Sequence, residues 1–374
     1  MNKFTKKLSL ILTSVMLCAS LAMTSVASAY SSGKRGYSFA SSAAASSAGK
    51  LEEVTNLKSA DTSSMFSDDY LNKSSSLTGE HWVIVSLEGQ SLSDRTNGDV
   101  NDYMDSFAGS VAAREIEKEQ KVFLKRLAAA NVPYEYKASY NTIANAVAVK
   151  IDVKNISEVK KIQGVSDVTV SEYYYAPQDV EVTNATNVWG TGIYQISDEL
   201  RNQGYDGSGM VVAVLDTGLD YSHAAFQTMP EKKAGVEMLD KATVAKRIFD
   251  GDTSKGLISK NPDVTVDEVY YNSKVPFAYD YADNDPDVYP SYSHHGTHVA
   301  GIIAGTPIRD KDGNEEHIKD QDGNEILDKN GNPMTFTGVA PNAQLAIFKV
   351  FTDNEEEDGL GGAETVNILC ALED

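Results

Sequence analysis

The hydrophobic pattern between residues 80 and 172 alternates between the two-residue period of strands and the longer period of helices. It predicts, in chain order, a strand over 81–87, a helix over 107–131, strands over 134–140 and 143–151, a short helix opened by an Asn155–Glu158 capping box, and a strand over 165–170. The apolar residues at helical spacings in the long helix are Phe107, Val111, Ile116, Phe123 and Leu127. This order, β-α-β-β-α-β, is that of an α+β ferredoxin-like domain, which predicts a fold but no particular activity.

Apolar residues after position 205 follow a second pattern. The runs 210–215 and 344–351 are apolar without alternation, which is typical of parallel strands buried on both faces. Between them a helix-like segment begins at His295, and a further helix is predicted over 363–374. A strand, a helix and a second strand predict an α/β fold with a parallel sheet and right-handed crossovers.

The first 29 residues have the composition of a secretory signal peptide. A basic start, an apolar stretch over 8–23 and a small-residue site ending at Ala29 follow one another. The apolar stretch has 16 residues and is interrupted by Ser and Thr. Because a membrane span needs about 20 apolar residues, we expect cleavage after Ala29, no lasting membrane span and a secreted, extracellular protein. Residues 30–79, rich in Ser and Ala, predict a flexible linker.

Length, charge and cysteine content narrow the function classes. The chain of 374 residues has room for two or three domains, and it carries 54 acidic against 33 basic side chains, a net charge of −21. This charge repels nucleic acid and anionic membrane surfaces, so neither is an expected partner. After cleavage of the signal, Cys370 is the only cysteine, and no disulfide is expected within the chain. Its apolar surroundings favour a small core residue over a nucleophile.

Two segments carry candidate chemistry. Asp216 follows the apolar run 210–215, and at the carboxyl end of a parallel strand it lies where α/β sheets place their active sites. His295 begins a helix of small residues that can approach the sheet closely. Acyl transfer by an activated serine needs such a carboxylate and imidazole. The alternatives are a turn-forming Asp216, a structural His295, and a zinc site at His294, His295 and His298, which is disfavoured because the Glu of an HExxH helix is missing.

Three motifs together carry a resemblance to a known family. The segments VAVLDTG (212–218), HGTHVAG (295–301) and GVAPNAQLAIFKV (338–350) occur in this order, and the sequence is similar to the subtilisin-like serine proteases, or subtilases. His295 lies 79 residues after Asp216, and KVPFAYDYAD occupies 274–283. In both respects the chain resembles the lactocepin-type cell-envelope proteinases.

The resemblance implies a role for each matched residue. Asp216 would orient the imidazole, and His295 would be the general base and acid. Gly359, Leu360 and Gly361 would pair with the substrate backbone as an added strand. The expected partners are therefore protein or peptide substrates.

The resemblance also implies a division of the chain. Residues 80–178 would be a ferredoxin-like propeptide that inhibits and chaperones the enzyme, and 179–374 the amino-terminal part of a subtilisin-like catalytic domain. The propeptide would be an intramolecular partner, removed by a cut near Gln178–Asp179. Substrate preference, and anchoring to the cell envelope through a part outside this sequence, are left open.

The sequence departs from the family pattern in one respect that bears on activity. No serine follows Ser293, whereas the catalytic Ser of the family, in a GTSMA-like motif, and its oxyanion-hole Asn come later than this sequence reaches. We therefore expect a serine endopeptidase precursor that is incomplete and inactive as it stands. The alternative is a propeptide-type binding module that inhibits or chaperones an intact subtilase.

No cofactor or metal is expected. Asp312-Gly313, Asp322-Gly323 and Asn330-Gly331 are typical of hairpin turns. Calcium is the alternative, because acidic and amide side chains cluster there, but the spacing differs from that of an EF-hand loop. Many family members also have a calcium-binding Asp at a position that is Ala225 in this sequence.

Overall fold

The computed structural model describes residues 77–175, 200–201, 203–249, 257, 264–319, 322–327, 331–353 and 362–374. Several predicted features lie outside these residues: the signal peptide with Ala29, the linker up to residue 76, the processing residues Gln178 and Asp179, and the substrate-binding residues Gly359, Leu360 and Gly361. Within the described part of the chain, none of the helices combines the length and apolar character that a membrane crossing requires.

Nine strands and seven α-helices make up the described residues. The strands are β1 (Glu80–Leu87), β2 (Glu135–Tyr140), β3 (Ala146–Asp152), β4 (Val165–Val170), β5 (Tyr173–Tyr175), β6 (Val211–Asp216), β7 (Phe277–Asp280), β8 (Gln344–Lys349) and β9 (Gly362–Glu364). The α-helices are α1 (Val100–Met104), α2 (Phe107–Ala129), α3 (Ile156–Val159), α4 (Lys241–Ile248), α5 (Val266–Val269), α6 (His295–Ala304) and α7 (Thr365–Glu373).

Strands β1 to β4 form one antiparallel sheet in the order β2-β3-β1-β4. The element order predicted over 80–172 is therefore present, with α2 following β1 and α3 preceding β4. Successive side chains of a strand point to opposite faces. In β1, Val83 and Val85 belong to the core that contains Phe123 and Leu127 of α2, whereas Ile84 belongs to a core on the other face.

The long helix differs from its predicted pattern at its start. Ser106 caps it by accepting a hydrogen bond from the Gly109 N–H, and Ile116 and Leu127 are fully buried as predicted. Phe107 and Val111, in contrast, are 86% and 38% exposed. With 3.6 residues per turn, the five positions from Val111 to Ile116 rotate these two residues away from the buried stripe by about 140°.

The predicted capping box at Asn155 is wrong. Its side chain makes no capping hydrogen bond, although helix α3 does begin after it. Instead, the Asp152 carboxylate accepts from the Lys154 N–H and opens a 3₁₀ turn over Val153–Asn155 that leads into α3. A side chain that ends the preceding strand thus fixes the direction of the chain, because the 3₁₀ turn occupies the residues assigned to the cap.

The second sheet is parallel, as predicted, with the strand order β6-β8-β7. Its central strand β8 is almost entirely buried. Strand β6 is not buried on both faces as expected, because Met210 just before it is 61% exposed and Val211 is 42% exposed. Among the described residues β6 pairs only with β8, so its outer edge has no covering strand there.

A third, short sheet joins the two regions. Strand β5, which follows the antiparallel sheet, pairs antiparallel with β9, which precedes α7. Helix α7, shorter than its predicted range, packs on β1 and β2. One apolar core therefore contains Ile84, Tyr140 and Ala148 from the first sheet together with Val366 and Cys370 from α7. Cys370 is fully buried, as predicted.

Candidate active site

The carboxylate of Asp216 lies at the end of β6, where the sequence predicted it. The residue is 4% exposed, and its Oδ1 accepts a hydrogen bond of 2.7 Å from the Thr217 N–H. Its backbone carbonyl accepts from Val350 N–H at 3.0 Å, so the strand pairing with β8 continues up to this residue. Asp216 is therefore held by its own backbone and by the following turn.

The turn after Asp216 needs glycine. Gly218 has a φ of +105°, and a Cβ there would lie 2.2 Å from the Val288 carbonyl oxygen. Both the left-handed backbone and the close approach exclude a side chain at this position. The loop that contains Val288 is thereby packed directly against the Asp216 turn.

His295 is the first residue of α6, and its ring nitrogen meets the Asp216 carboxylate. The Nδ1 atom lies 2.8 Å from Oδ1 and 3.0 Å from Oδ2, and the two side chains are 12% and 5% exposed respectively. A carboxylate only accepts hydrogen bonds, so this contact assigns the proton of a neutral imidazole to Nδ1. The lone pair that can take up a further proton is then on Nε2, as in the base of a serine protease.

Thr217 and Gly296 fix the imidazole relative to the strand. The Thr217 hydroxyl donates to the Ser293 carbonyl at 2.8 Å and accepts from the Gly296 N–H at 2.9 Å. A Cβ on Gly296 would lie 2.3 Å from the Gly218 carbonyl oxygen. The prediction that small residues let this helix approach the sheet is thus confirmed, and Ala300 is completely buried on the same helix.

A buried lysine beside this pair was missed by the sequence analysis. Lys349 ends β8 with 3% of its side chain exposed, and its Nζ lies 2.6 Å from a carboxylate oxygen of Asp280 and 2.6 Å from one of Asp353. Burial raises the pKa of the Asp280 carboxyl to about 7, with Lys349 opposing that shift. Burial also disfavours the charge on Lys349, but the two carboxylates outweigh it and raise the pKa of the lysine. The signal was a lysine within an otherwise apolar strand run.

The turn-rich segment 307–336 has the predicted hairpins. Bridges join Arg309 to Glu315, Lys319 to Glu325 and Leu327 to Pro333. The Asp310 carboxylate accepts from the Asp312 and Asn314 N–H groups, so it serves its own turn. No three His, Cys, Asp or Glu side chains within the described ranges come together as a metal-binding group.

The predicted substrate-binding glycines are outside the described residues, but the strand that follows them is present. Gly362–Glu364 forms β9, and Tyr173–Tyr175 pairs with it antiparallel, with Tyr174 opposite Ala363. The Thr352 N–H donates to the Gly362 carbonyl at 2.9 Å, which ties β9 to the end of the parallel sheet. A polypeptide is thus bound to β9 as an added strand.

Known proteins share this part of the chain. The family model described as "Subtilase family" matches residues 207–367, which include Asp216 and His295. The PII-type proteinase of Lactococcus lactis subsp. cremoris is 29% identical over 238 residues, covering 63% of this chain and 10% of that protein. The C5a peptidase of Streptococcus pyogenes serotype M3 is 27% identical over 152 residues, or 40% of this chain and 10% of that protein.

The matched regions of these relatives are only a small part of them, since the alignments span 10% of their length. Among solved structures, the epidermin leader peptide processing serine protease (EpiP) from Staphylococcus aureus gives a TM-score of 0.34 at 11% identity, covering 74% of this chain and 44% of that chain. A score this low supports no statement about the fold.

Proposed function

We propose, for a chain whose residues 207–367 belong to the subtilase family, that it is part of a secreted serine endopeptidase precursor that cleaves proteins or peptides through an acyl-enzyme. The observation that carries this proposal is the contact of 2.8 Å between His295 Nδ1 and a buried Asp216 oxygen. A strand-end carboxylate and a helix-start imidazole form this pair 79 residues apart, after the order Asp, then His. That order and geometry suit a base awaiting a serine hydroxyl.

In the proposed mechanism each residue of the pair has one task. His295 takes the hydroxyl proton of the nucleophilic serine at Nε2 and later gives it to the leaving amine. Asp216 keeps the imidazole in the required tautomer and stabilises the imidazolium that forms. The chemistry needs no cofactor. No serine follows Ser293 in this sequence, so the nucleophile would come from a longer chain, and residues 1–374 alone would hydrolyse nothing.

We assign 80–178 to a ferredoxin-like propeptide that covers the substrate path. Two contacts support this role. The β5–β9 pairing places chain in the position of an added strand. The carboxylate of Glu373 accepts backbone hydrogen bonds from Asn141 at 2.5 Å and from Thr142 at 2.6 Å, which docks the loop after β2 onto the end of α7.

The direction of β5 supports a cut near Gln178–Asp179. From Tyr173 to Tyr175 the chain runs from Glu364 toward Gly362. Gly362 is bonded to Thr352, and the next residue, Asp353, is bonded to the loop just before His295. A chain that continues along β5 therefore heads toward the base, and Gln178 comes three residues after Tyr175. The mature enzyme would begin near residue 179.

A second candidate function is favoured by the same interface. The chain would then act as a binding module whose sheet over 80–172 inhibits or chaperones an intact subtilase, since its apolar face and the loop at 141–143 already fit α7. We expect an extracellular location in both cases, because the signal-like start precedes either function.

Casein hydrolysis by a full-length precursor that includes the nucleophile tests the proposal. We expect hydrolysis that is abolished by His295→Ala and retained by His298→Ala, which removes an exposed imidazole from the same helix. A serine-reactive fluorophosphonate should label the same protein. A folded full-length protein that neither hydrolyses casein nor reacts with the probe, but inhibits a separate subtilase, would support the binding module instead.

A further inference from the structure

We propose that Asp353 and Lys349 are positioning residues for His295, which hold the backbone of Ser291 and Tyr292 in the loop that leads into α6. This inference rests on the proposed proteolytic function, because it gives the pair a role in orienting the general base. Neither residue touches the imidazole, so neither is a catalytic residue. They act through the main chain next to it.

The ends of three parallel strands place the cluster beside the catalytic pair. Asp216 of β6 is opposite Lys349 of β8, and Lys349 is opposite Asp280 of β7. The base-orienting carboxylate, the lysine and a second carboxylate therefore form one row across the carboxyl edge of the sheet. Side chains at this edge serve the active site in open α/β sheets.

Buried charges fix the ammonium group of Lys349 in one place. Asp280 is 1% exposed, and its Oδ2 contacts Nζ at 2.6 Å while its Oδ1 accepts from the Ala282 and Asp283 N–H groups. A second oxygen of the cluster, Asp353 Oδ2, contacts the same Nζ at 2.6 Å. Charge-assisted hydrogen bonds of this length are strong and directional in a buried setting. Asp353 is therefore held in a set orientation by Lys349.

The other oxygen of Asp353 holds the chain just before the base. Its Oδ1 accepts from Ser291 N–H at 3.0 Å and from Tyr292 N–H at 3.1 Å. The next carbonyl, that of Ser293, is bonded to the Thr217 hydroxyl from the opposite side. The segment that enters His295 is thus fixed between the β6 turn and the Lys349 cluster.

The same cluster supports the strand that binds polypeptide. The Thr352 hydroxyl donates to Asp283 Oδ1 at 2.6 Å, and the Asp353 N–H donates to Asp283 Oδ2 at 3.2 Å. Thr352 in turn bonds Gly362 at the start of β9. One buried group of charges therefore links the base and the added-strand site, so that scissile bond and imidazole keep a common frame.

The test compares four variants of a full-length precursor that includes the nucleophile. Asp353→Ala removes the acceptor for both N–H groups, and Asp353→Asn keeps an oxygen that can accept them. Lys349→Met removes the ammonium group. The matched control is Lys274→Met: Lys274 is also fully buried, but its Nζ donates to the Pro341 and Ala343 carbonyls, away from the 291–295 loop.

We expect Asp353→Ala to lower kcat by about 10²-fold, the loss that a displacement of about 1 Å of a reacting group produces. KM should change by less than about threefold, because the interaction that is lost acts in the transition state. Asp353→Asn should recover most of the rate, Lys349→Met should resemble Asp353→Ala, and Lys274→Met should keep the kcat of the parent protein. The second readout is the proton NMR signal of the His295 Nδ1–H, which should shift or broaden only in Asp353→Ala and Lys349→Met.

Two results would overturn the inference: a folded Asp353→Ala protein with unchanged kcat and an unchanged Nδ1–H signal, or an Asp353→Asn protein as impaired as Asp353→Ala. Asp353 is partly exposed, so its variants are expected to fold even if Lys349→Met does not. If the parent protein hydrolyses nothing, the proposed function fails, and the NMR signal still decides the positioning role by itself.

Discussion

The two sheets of the molecule use apolar strands in different ways. In the antiparallel sheet, Val83 faces α2 whereas Ile84 faces α7, so one face is covered from within the region and the other by the second region. In the parallel sheet, β8 is buried on both faces while β6 exposes Val211 at its outer edge. The first sheet thus completes its core by docking, and the second completes its site by strand order.

This difference assigns the two regions different parts of the function. The chemistry lies in the parallel sheet, where strand ends bring Asp216 and Lys349 side by side. The antiparallel sheet contributes a docking face, a loop bonded to Glu373 and the strand β5. A sheet whose second face is apolar and covered by a neighbour fits a segment that is present in a precursor and later removed.

The comparison is broken most severely at the catalytic pair. In the full-length precursor, Asp216→Asn should lower kcat by about 10⁴-fold, because the amide favours the wrong imidazole tautomer. Thermal unfolding should show a fold that is retained, since the side chain keeps its shape. The parallel assay on Asp220→Asn, another carboxylate of the same loop, should show near-normal kcat. Near-normal turnover by a folded Asp216→Asn protein would remove the pair from the mechanism.

A smaller effect is expected at the contact between helix and strand. Gly296→Ala places a Cβ 2.3 Å from the Gly218 carbonyl oxygen, so α6 must move away from the Asp216 turn. We expect a loss of about 10²-fold in kcat, in line with a displacement of the base by about 1 Å. The control is Gly301→Ala on the same helix, where the nearest atom would be 3.6 Å away. Equal kcat values for the two variants would contradict the geometry.

The docking of the first sheet should weaken when Glu373 is removed. Hydrogen bonds to a charged group contribute about 1.5–3 kcal/mol each, so Glu373→Ala should release the loop at 141–143 without unfolding either sheet. Amide exchange of the full chain should show these N–H groups exchanging at least about tenfold faster. Glu117→Ala, which removes an exposed carboxylate on α2, serves as the control. Unchanged protection at 141–143 would show that the apolar face alone holds the sheet.

The smallest effect is a pH dependence from the buried Lys274. Burial lowers the pKa of its ammonium group from 10.5 to about 8. Between these values the unfolded chain keeps a proton that the folded state has released, so the free energy of unfolding should rise with pH, by at most about 1.4 kcal/mol per pH unit. Denaturant unfolding from pH 8 to 10.5 should show this slope in the parent protein relative to Lys274→Met. Parallel curves for the two proteins would exclude it.

The sequence predicted the parts of the site that are local. Asp216 follows an apolar run and His295 starts a helix of small residues, and both contexts are readable within a few positions. The element order of both regions was likewise predictable, because strand and helix periods are local. Phe107 and Val111 were misplaced because a pattern of spacings does not say which stripe faces the sheet.

The Lys349 cluster could not be predicted for a physical reason. Its carboxylates come from Asp280, Asp283 and Asp353, in segments that only the strand pairing brings together. In the sequence Lys349 reads as one polar residue in a buried strand. The docking of Glu373 on the loop at 141–143 joins residues more than 200 positions apart and has no local signal either.

Amino-terminal sequencing of the product secreted by a full-length precursor tests the central claim most directly. The account predicts a mature start between residues 174 and 182, most often at Asp179, and a His295→Ala precursor that keeps its first sheet uncut. Such a result would require both a working base and a removable propeptide. A mature start before residue 150, or identical processing of the His295→Ala protein in a purified sample, would contradict the account.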